Sequence, residues 1–383
     1  MKEAILNPKG LRRALSGGLW FFRGDFGQLP VFEAGELGKI LTPERQFWGL
    51  AYFNPKSSII ARLLTRKEET IDYTFFRACF EKALALRRSL YPGEEAFRLI
   101  HGEGDLLPGL TVDLYGHIAV IQLSTAGMER LKSEILKALK ELIPLKGFVF
   151  RNDLPAREEE GLPLYVEAEG VSGPLEIVCD GLRFLVDPVG GQKTGFFLDQ
   201  RENRRRITRY VQGKVVLDLF CYTGAFALYA AKAGAAKVLA VDRSKEALKI
   251  AEENARLNGL SEKIQFVQDE VERFLRYAPR AEALILDPPA LIKKKKAYQR
   301  GKRRYRELIQ RAFKTVKEGG VLLVCSCSQF LSLEDLIKIC REEGLKTEQN
   351  TSLLEIGLQA LDHPVYLPMP ETFYLKGLFL RIL

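Results

Sequence analysis

A chain of 383 residues with 46 % hydrophobic and 28 % charged residues is long enough for two or three domains with substantial cores. No stretch approaches the roughly 18 apolar residues of a membrane span, and the opening MKEAILNPKG has no signal-peptide pattern, so the chain reads as soluble and cytoplasmic. A formal charge of +9 points to an anionic partner, most simply nucleic acid, while six cysteines and three histidines give neither a disulfide framework nor a paired set of zinc ligands.

In chain order, residues 1 to about 70 read as short strands broken by Gly, Pro and Asn (GLWFFRGDF, VFEAGELGKIL, WGLAYFN, SIIARLLT), the pattern of a small β-barrel. From about 73 to 188 a helix over 73–90, strands near 97–100, 110–114 and 118–123, a helix over 127–142 and further strands predict an α+β domain. From about 211 the pattern alternates. Strands 215–220, 237–242, 264–268, 283–287 and 321–325 are separated by helices over 225–233, 245–258, 271–277 and 299–316, which predicts a doubly wound, mostly parallel sheet. Residues 353–383 have no helical period and read as a closing antiparallel hairpin.

In such sheets ligands bind at the carboxyl ends of the strands. The first strand ends V-L-D-L-F-C-Y-T-G, with Asp218 near its tip and Gly224 at the turn. A pyrophosphate cradle needs more glycines than this, so an acidic residue with one glycine suits a cofactor carrying an ammonium and a carboxylate but no phosphate. The second strand ends in Asp242, placed to accept the hydrogens of two ribose hydroxyls. The third ends in Asp269, where the side chain or a backbone group meets an adenine amino group. Each Asp alone also reads as a helix cap; the series favours a cofactor.

D-L-F-C-Y-T-G-A-F, A-V-D, Q-D, L-D-P-P and V-C-S-C-S resemble the successive motifs of class I S-adenosylmethionine methyltransferases. G-Q-K-T-G-F-F-L-D-Q-R at 191–201, R-L-I-H-G-E-G-D-L-L-P-G-L at 98–110 and D-H-P-V at 362–365 resemble hallmarks of the RlmI-like family of large-subunit rRNA cytosine-C5 methyltransferases. The first seventy residues are similar to its PUA domain, a small RNA-binding barrel. The resemblance implies a PUA-like domain over 1–70, a central α+β domain over 73–188 and a Rossmann-like methyltransferase domain over 189–383, with a seven-stranded sheet. It implies S-adenosyl-L-methionine as cofactor, with Lys193, Thr194, Phe197, Gln200, Asp218, Phe220, Tyr222, Gly224, Asp242, Arg243, Asp269 and Asp287 as its contacts. Phe196 and Phe197 also read as core packing. The implied partner is large-subunit rRNA, naked or in a ribosomal particle, with no DNA, membrane or metal; a homodimer is left open.

Cytosine C5 is a poor nucleophile. A thiolate adding to C6 makes the C4–C5–C6 unit an enamine that attacks a methyl group, splitting one hard step into two easier ones. The fifth strand offers Cys325 and Cys327, on one side of the strand if it stays regular. Cys327 lies nearer the ligand edge and matches the family's S-C-S nucleophile; Cys325 reads as packing. Asp287, before Pro288 and Pro289, is expected to hydrogen-bond the base at N3 or its amino group. Ala290 replaces the aromatic ring that amine methyltransferases place after such prolines. The group that removes the C5 proton is unassigned, with water and Asp287 as alternatives.

Residues 293–306, K-K-K-K-A-Y-Q-R-G-K-R-R-Y-R, contain no acid. Beside the base pocket, Lys293, Lys294, Lys295, Lys296, Arg300, Lys302, Arg303 and Arg304 are expected to contact RNA phosphates. Tyr298 and Tyr305 interleave as stacking surfaces. R-E-N-R-R-R at 201–206 reads equally as a cofactor or an RNA contact. The rival readings are transfer to uracil C5 or a guanine amine, and a non-catalytic RNA-binding assembly factor.

Overall fold

The computed structural model describes all 383 residues, and the chain divides into two compact units. One comprises Met1–Ile177, Val186–Leu198 and Leu361–Thr372; the other comprises Val178–Leu185, Asp199–Ala360 and Phe373–Leu383.

The first unit opens with β1 (Lys2–Leu6), α1 (Pro8–Leu15), β2 (Trp20–Phe22), β3 (Phe26–Gln28), β4 (Glu36–Leu41), β5 (Phe47–Phe53) and β6 (Ile59–Thr65). The strands form one sheet in the order β2-β6-β5-β4-β1-β3. Its core is aromatic: Phe21 and Phe53 are fully buried, and Phe32 stacks on Phe53 at 3.8 Å. The sequence suggested strands alone here. The helix α1 starts because the Asn7 side chain accepts the Gly10 N–H at 2.9 Å and Pro8 occupies the first turn, a local capping signal.

There follow α2 (Tyr73–Leu90), β7 (Ala96–His101), β8 (Leu110–Tyr115), β9 (Ile118–Leu123), α3 (Ala126–Arg130), α4 (Lys132–Leu142), β10 (Gly147–Asn152), α5 (Ala156–Glu159) and β11 (Tyr165–Glu169). The strands form a second sheet, β11-β10-β9-β8-β7. The expected single helix over 127–142 is two helices, broken at Leu131, with the first capped by Thr125 on Met128 N–H. The 98–110 and 362–365 motifs meet in this unit. Arg87, fully buried, grips both oxygens of Asp105 at 2.7 and 2.6 Å and the Asp362 carbonyl at 3.0 Å. Arg98 holds Asp113 in the same bidentate way and its N–H reaches Asp362 at 2.8 Å. These motif residues thus fasten the 361–372 segment.

The short β12 (Leu175–Cys179) and β13 (Leu182–Val186) pair where the chain passes from one unit to the other. The second unit continues with α6 (Arg201–Ile207), β14 (Val215–Leu219), α7 (Ala225–Lys232), β15 (Lys237–Asp242), α8 (Lys245–Leu257), β16 (Ile264–Gln268), α9 (Val271–Phe274), β17 (Ala281–Leu286), α10 (Tyr298–Thr315), β18 (Val316–Ser326), α11 (Leu333–Lys346), β19 (Thr351–Leu358) and β20 (Lys376–Ile382). The seven-stranded order is β16-β15-β14-β17-β18-β20-β19, parallel from β16 to β18, with β20 antiparallel to both neighbours. This is the expected Rossmann-like sheet with its closing antiparallel strands. Strand order reverses between β14 and β17, the switch point where such sheets bind ligands. No helix is long and apolar enough to cross a membrane.

Candidate active site

The β14–α7 turn is held in a costly backbone conformation. Phe220, Tyr222 and Gly224 have φ of 64°, 50° and 77°, and two of these are not glycine, a strain of about 1–3 kcal/mol each. Surrounding groups hold it there: the Asp242 Oδ2 accepts the Tyr222 N–H at 2.9 Å, and the Asn254 amide donates to the Thr223 carbonyl at 3.0 Å. At Gly224 a Cβ would lie 3.1 Å from Ala251 Cβ and 3.2 Å from the Phe266 ring, so a side chain there would be crowded as well as strained in φ.

Beneath this turn Asp218 is 1 % exposed. Its Oδ2 accepts the Ala227 N–H at 2.9 Å, while its Oδ1 is buried with no hydrogen-bond partner. Burial, and then the carboxylates of Asp287 and Asp242, push the Asp218 carboxyl up to about 7, against the opposing Ala227 N–H and Arg204. The structure therefore brings Asp218, Asp242 and Asp287 into one electrostatic cluster at the carboxyl edge. An orphaned buried carboxylate oxygen within an acidic cluster fits a cationic, hydrogen-donating ligand, as an amino-acid ammonium and a sulfonium would provide.

The other expected cofactor residues divide. Asp242 Oδ1 accepts the Ser244 N–H at 2.9 Å, so both of its oxygens are oriented by backbone. Asp269 is committed to Arg273 and Tyr277, which leaves the backbone alternative for adenine at this position. Arg243 is exposed, 4.0 Å from Glu270. Gln200 is buried, accepts from Asn203 at 2.7 Å and hydrogen-bonds the Cys325 thiol. Lys193, Thr194 and Phe197 belong to the first unit. There Thr194 donates to Asp113 at 2.6 Å and meets the Tyr115 hydroxyl at 3.0 Å, and Lys193 lies over the Phe197 ring at 4.2 Å. Phe196 is buried and Phe197 half-buried. In the 201–206 cluster, Arg201 turns to Cys179 and Arg205 to Asp180, while buried Arg204 bears on Asp218.

The two cysteines of the fifth strand are not equivalent. Cys325 is fully buried, and burial pushes its thiol far above the ordinary range. Cys327 lies just beyond the last residue of β18 and is partly exposed. Its flanking serines hold the turn from behind: Tyr305 hydroxyl meets Ser326 Oγ at 2.9 Å and Ser328 Oγ at 3.1 Å, and Ser328 Oγ accepts the Ile292 N–H at 3.1 Å. That last bond ties the segment after Pro288-Pro289 to the cysteine turn. Lys376, which sequence reading missed, donates to the Ser328 carbonyl at 2.9 Å. Its sequence signal was a lone lysine in the otherwise apolar Y-L-K-G-L-F-L.

The basic run begins exposed at Lys293, Lys294, Lys295 and Lys296 and becomes α10. Tyr305 is 0 % exposed, so the expectation that it stacks on a base is corrected: it faces the core and supports the cysteine turn. Tyr298 is half-buried, donating to Asp335 at 2.6 Å, with Lys302 on the same carboxylate at 2.9 Å. Arg304 pairs with Glu272 at 2.6 Å and Arg303 with Glu307 at 3.4 Å. Gln299, Arg300, Lys302, Arg303 and Arg306 line an open groove of about 670 Å³.

Two family models match the chain: an S-adenosylmethionine-dependent methyltransferase over residues 165–345 and a PUA-like domain over residues 4–66. The ribosomal RNA large subunit methyltransferase I of Klebsiella pneumoniae is 36 % identical over 376 residues, covering 95 % of this chain and 94 % of that one. That of Aeromonas hydrophila is 38 % identical over 362 residues, covering 91 % and 90 %. Among solved structures, a Streptococcus mutans protein described as a SAM-dependent methyltransferase superposes with a TM-score of 0.85 over the full length of both chains, at 21 % identity. A related structure complexed with SAH superposes at 0.86 and 22 %. These two likenesses are of fold. With the curated relatives spanning nearly its whole length, the chain belongs to the ribosomal RNA large subunit methyltransferase I family of S-adenosylmethionine-dependent methyltransferases.

Proposed function

We propose that this methyltransferase transfers a methyl group to C5 of a cytosine in large-subunit rRNA through a covalent bond between Cys327 and C6. The observation that carries the reading is the partly exposed Cys327 at the end of β18, in a turn tied to the Asp287-Pro288-Pro289 segment. Asp218, Asp242 and the 220–224 turn would hold the cofactor, which would supply the methyl group as an electrophile on positive sulfur. Cys327 Sγ adds to C6 and makes C5 nucleophilic. Asp287 hydrogen-bonds the base at N3 or its amino group, and it is a proton given to N3 that draws electrons from the ring and eases addition at C6. After transfer the C5 proton leaves, to Asp287 or water, the C5–C6 double bond re-forms, and the S–C6 bond breaks to release Cys327 as a thiolate. Ala290 provides no ring to stack a base for exocyclic amine transfer, which favours the C5 reading.

Lys293, Lys294, Lys295, Lys296 and Arg300, exposed beside the cysteine turn, are read as the phosphate contacts, with Tyr298, Lys302, Arg303 and Arg304 joining by exchanging their internal partners. Residues 1–70 serve as the PUA-like RNA-binding part, 73–188 as the central part and 189–383 as the catalytic part. The substrate is rRNA, naked or in a particle in the cytoplasm, rather than DNA or a membrane, and nothing in the mechanism requires the homodimer left open by the sequence. Incubation with cofactor and rRNA carrying 5-fluorocytidine tests the chemistry, because fluorine cannot leave as a proton does. A protein–RNA adduct stable on a denaturing gel, lost in Cys327→Ala, is expected. Turnover of ordinary rRNA with no adduct on fluorinated rRNA would remove the covalent step.

A further inference from the structure

β20 lies antiparallel to β18 with Lys376 opposite Ser326, one residue before Cys327. The lysine is 1 % exposed among apolar neighbours, and its Nζ donates to the carbonyl of Ser328, one residue beyond Cys327. Its chain therefore spans the backbone that carries the cysteine. The Phe373 ring covers it at 5.8 Å. No carboxylate pairs with it. A buried ammonium without a counter-charge is costly and tends to lose its proton; burial pulls Lys376 down to about 8, and the one ionisable group acting the other way is Cys327.

We propose that Lys376 is the counter-ion of the Cys327 thiolate, a positioning residue that sets the nucleophile's ionisation. The inference rests on reading Cys327 as the nucleophile. Other titratable groups share the surroundings. Asp287, from the end of β17, bears with Cys327 on Tyr305, and its negative charge opposes a thiolate. Tyr305, from α10, is pushed up to about 12 and stays neutral. Cys325, on β18 itself, is neutral because it is buried. Lys376, from β20, is a cation that bears on the thiol. The proton passes from Sγ to Nζ: one S–H bond breaks and one N–H bond forms, and no co-reactant is needed. When Cys327 is later expelled from C6 it returns as a thiolate beside the same ammonium, which makes it a better leaving group.

The test needs neither RNA nor cofactor. Alkylation of the full chain by iodoacetamide is followed by peptide-resolved mass spectrometry from pH 6 to 10, which separates Cys327 from Cys79, the other partly exposed thiol. In wild type, Cys327 alkylation should be half-maximal below the ordinary thiol value of about 8.5. Lys376→Met should raise the midpoint by about one pH unit or more and slow alkylation at pH 7 about tenfold, and Lys376→Arg should restore part of the shift. A wild-type midpoint at or above about 8.5, or the same midpoint in Lys376→Met, would overturn the ion pair. The wild-type midpoint decides even if the variant fails to fold. Because the readout is alkylation, the ion pair and the covalent mechanism succeed or fail separately: methyl transfer surviving in Cys327→Ala removes the mechanism and leaves the pair standing.

Discussion

Replacing Asp218 with asparagine keeps a side-chain oxygen to accept the Ala227 N–H but removes a charge that is 1 % exposed and lacks a partner on Oδ1. The carboxyl titrates at about 7 in the folded chain against an ordinary 3.8. A raised acid destabilises the fold as pH rises from the unfolded to the folded value; the penalty is absent below 3.8, grows through the window and is complete above about 7. Three pH units correspond to about 4 kcal/mol. The Asp218→Asn protein without cofactor should therefore be more stable than wild type at pH 8 by up to that amount, with the gain shrinking towards pH 4. Cofactor binding should move oppositely. If the ionised carboxylate is what the cofactor engages, affinity in wild type falls about tenfold per pH unit below 7, or about 30-fold at pH 5.5. Calorimetric titration with S-adenosylhomocysteine in buffers of different ionisation enthalpy should show protons released on binding at pH 6 and none at pH 8.5. Asp218→Asn should bind at least 30-fold more weakly at pH 8, with no pH dependence in this range. Affinity that is flat from pH 5.5 to 8 in wild type, or undiminished in the variant, would refute the role of the orphaned oxygen.

Tyr305→Phe removes the hydroxyl that meets Ser326 and Ser328; it should cost about 1–3 kcal/mol in chemical denaturation and lower kcat while leaving cofactor affinity unchanged. Changing Lys293, Lys294, Lys295 and Lys296 to glutamine should weaken binding to RNAs of any sequence, and flatten the slope of log affinity against log salt by up to about 3–4. Filter binding across a salt series measures both, with cofactor titration as the control for folding.

The parallel sheet was legible because its strands and helices alternate from 211 onward, and a polar residue lies at or next to the end of each parallel strand at the ligand edge. Cys327 was set apart from Cys325 by its position along the strand and by the family's S-C-S motif, and in the structure β18 ends between them at Ser326. Four helices, α1, α5, α6 and α11, were missed, although the caps of two of them are written in the chain. Asn7-Pro8 begins α1, and Ser332, accepting the Asp335 N–H at 3.0 Å, begins α11. Tyr305 was misread because charged neighbours drew attention to solvent. Yet Tyr305, Leu308, Ile309, Ala312 and Phe313 are the buried line of α10, and their helical spacing marks a core face. Other features were not legible locally. Lys376 comes to the cysteine turn only through the register of β18 against β20, and residues 361–372 leave the methyltransferase sheet for the first unit through Arg87 and Arg98. Both depend on pairings between distant segments, which no periodicity records.

The central claim is covalent transfer to cytosine C5. It is met most directly by incubating large-subunit rRNA with cofactor labelled in its methyl group, using wild type and Cys327→Ala, and identifying the labelled nucleoside. Label in 5-methylcytidine with wild type, and none with the variant although it still binds S-adenosylhomocysteine, is the predicted result. Label in another nucleoside, or 5-methylcytidine formed at the wild-type rate without Cys327, would contradict it.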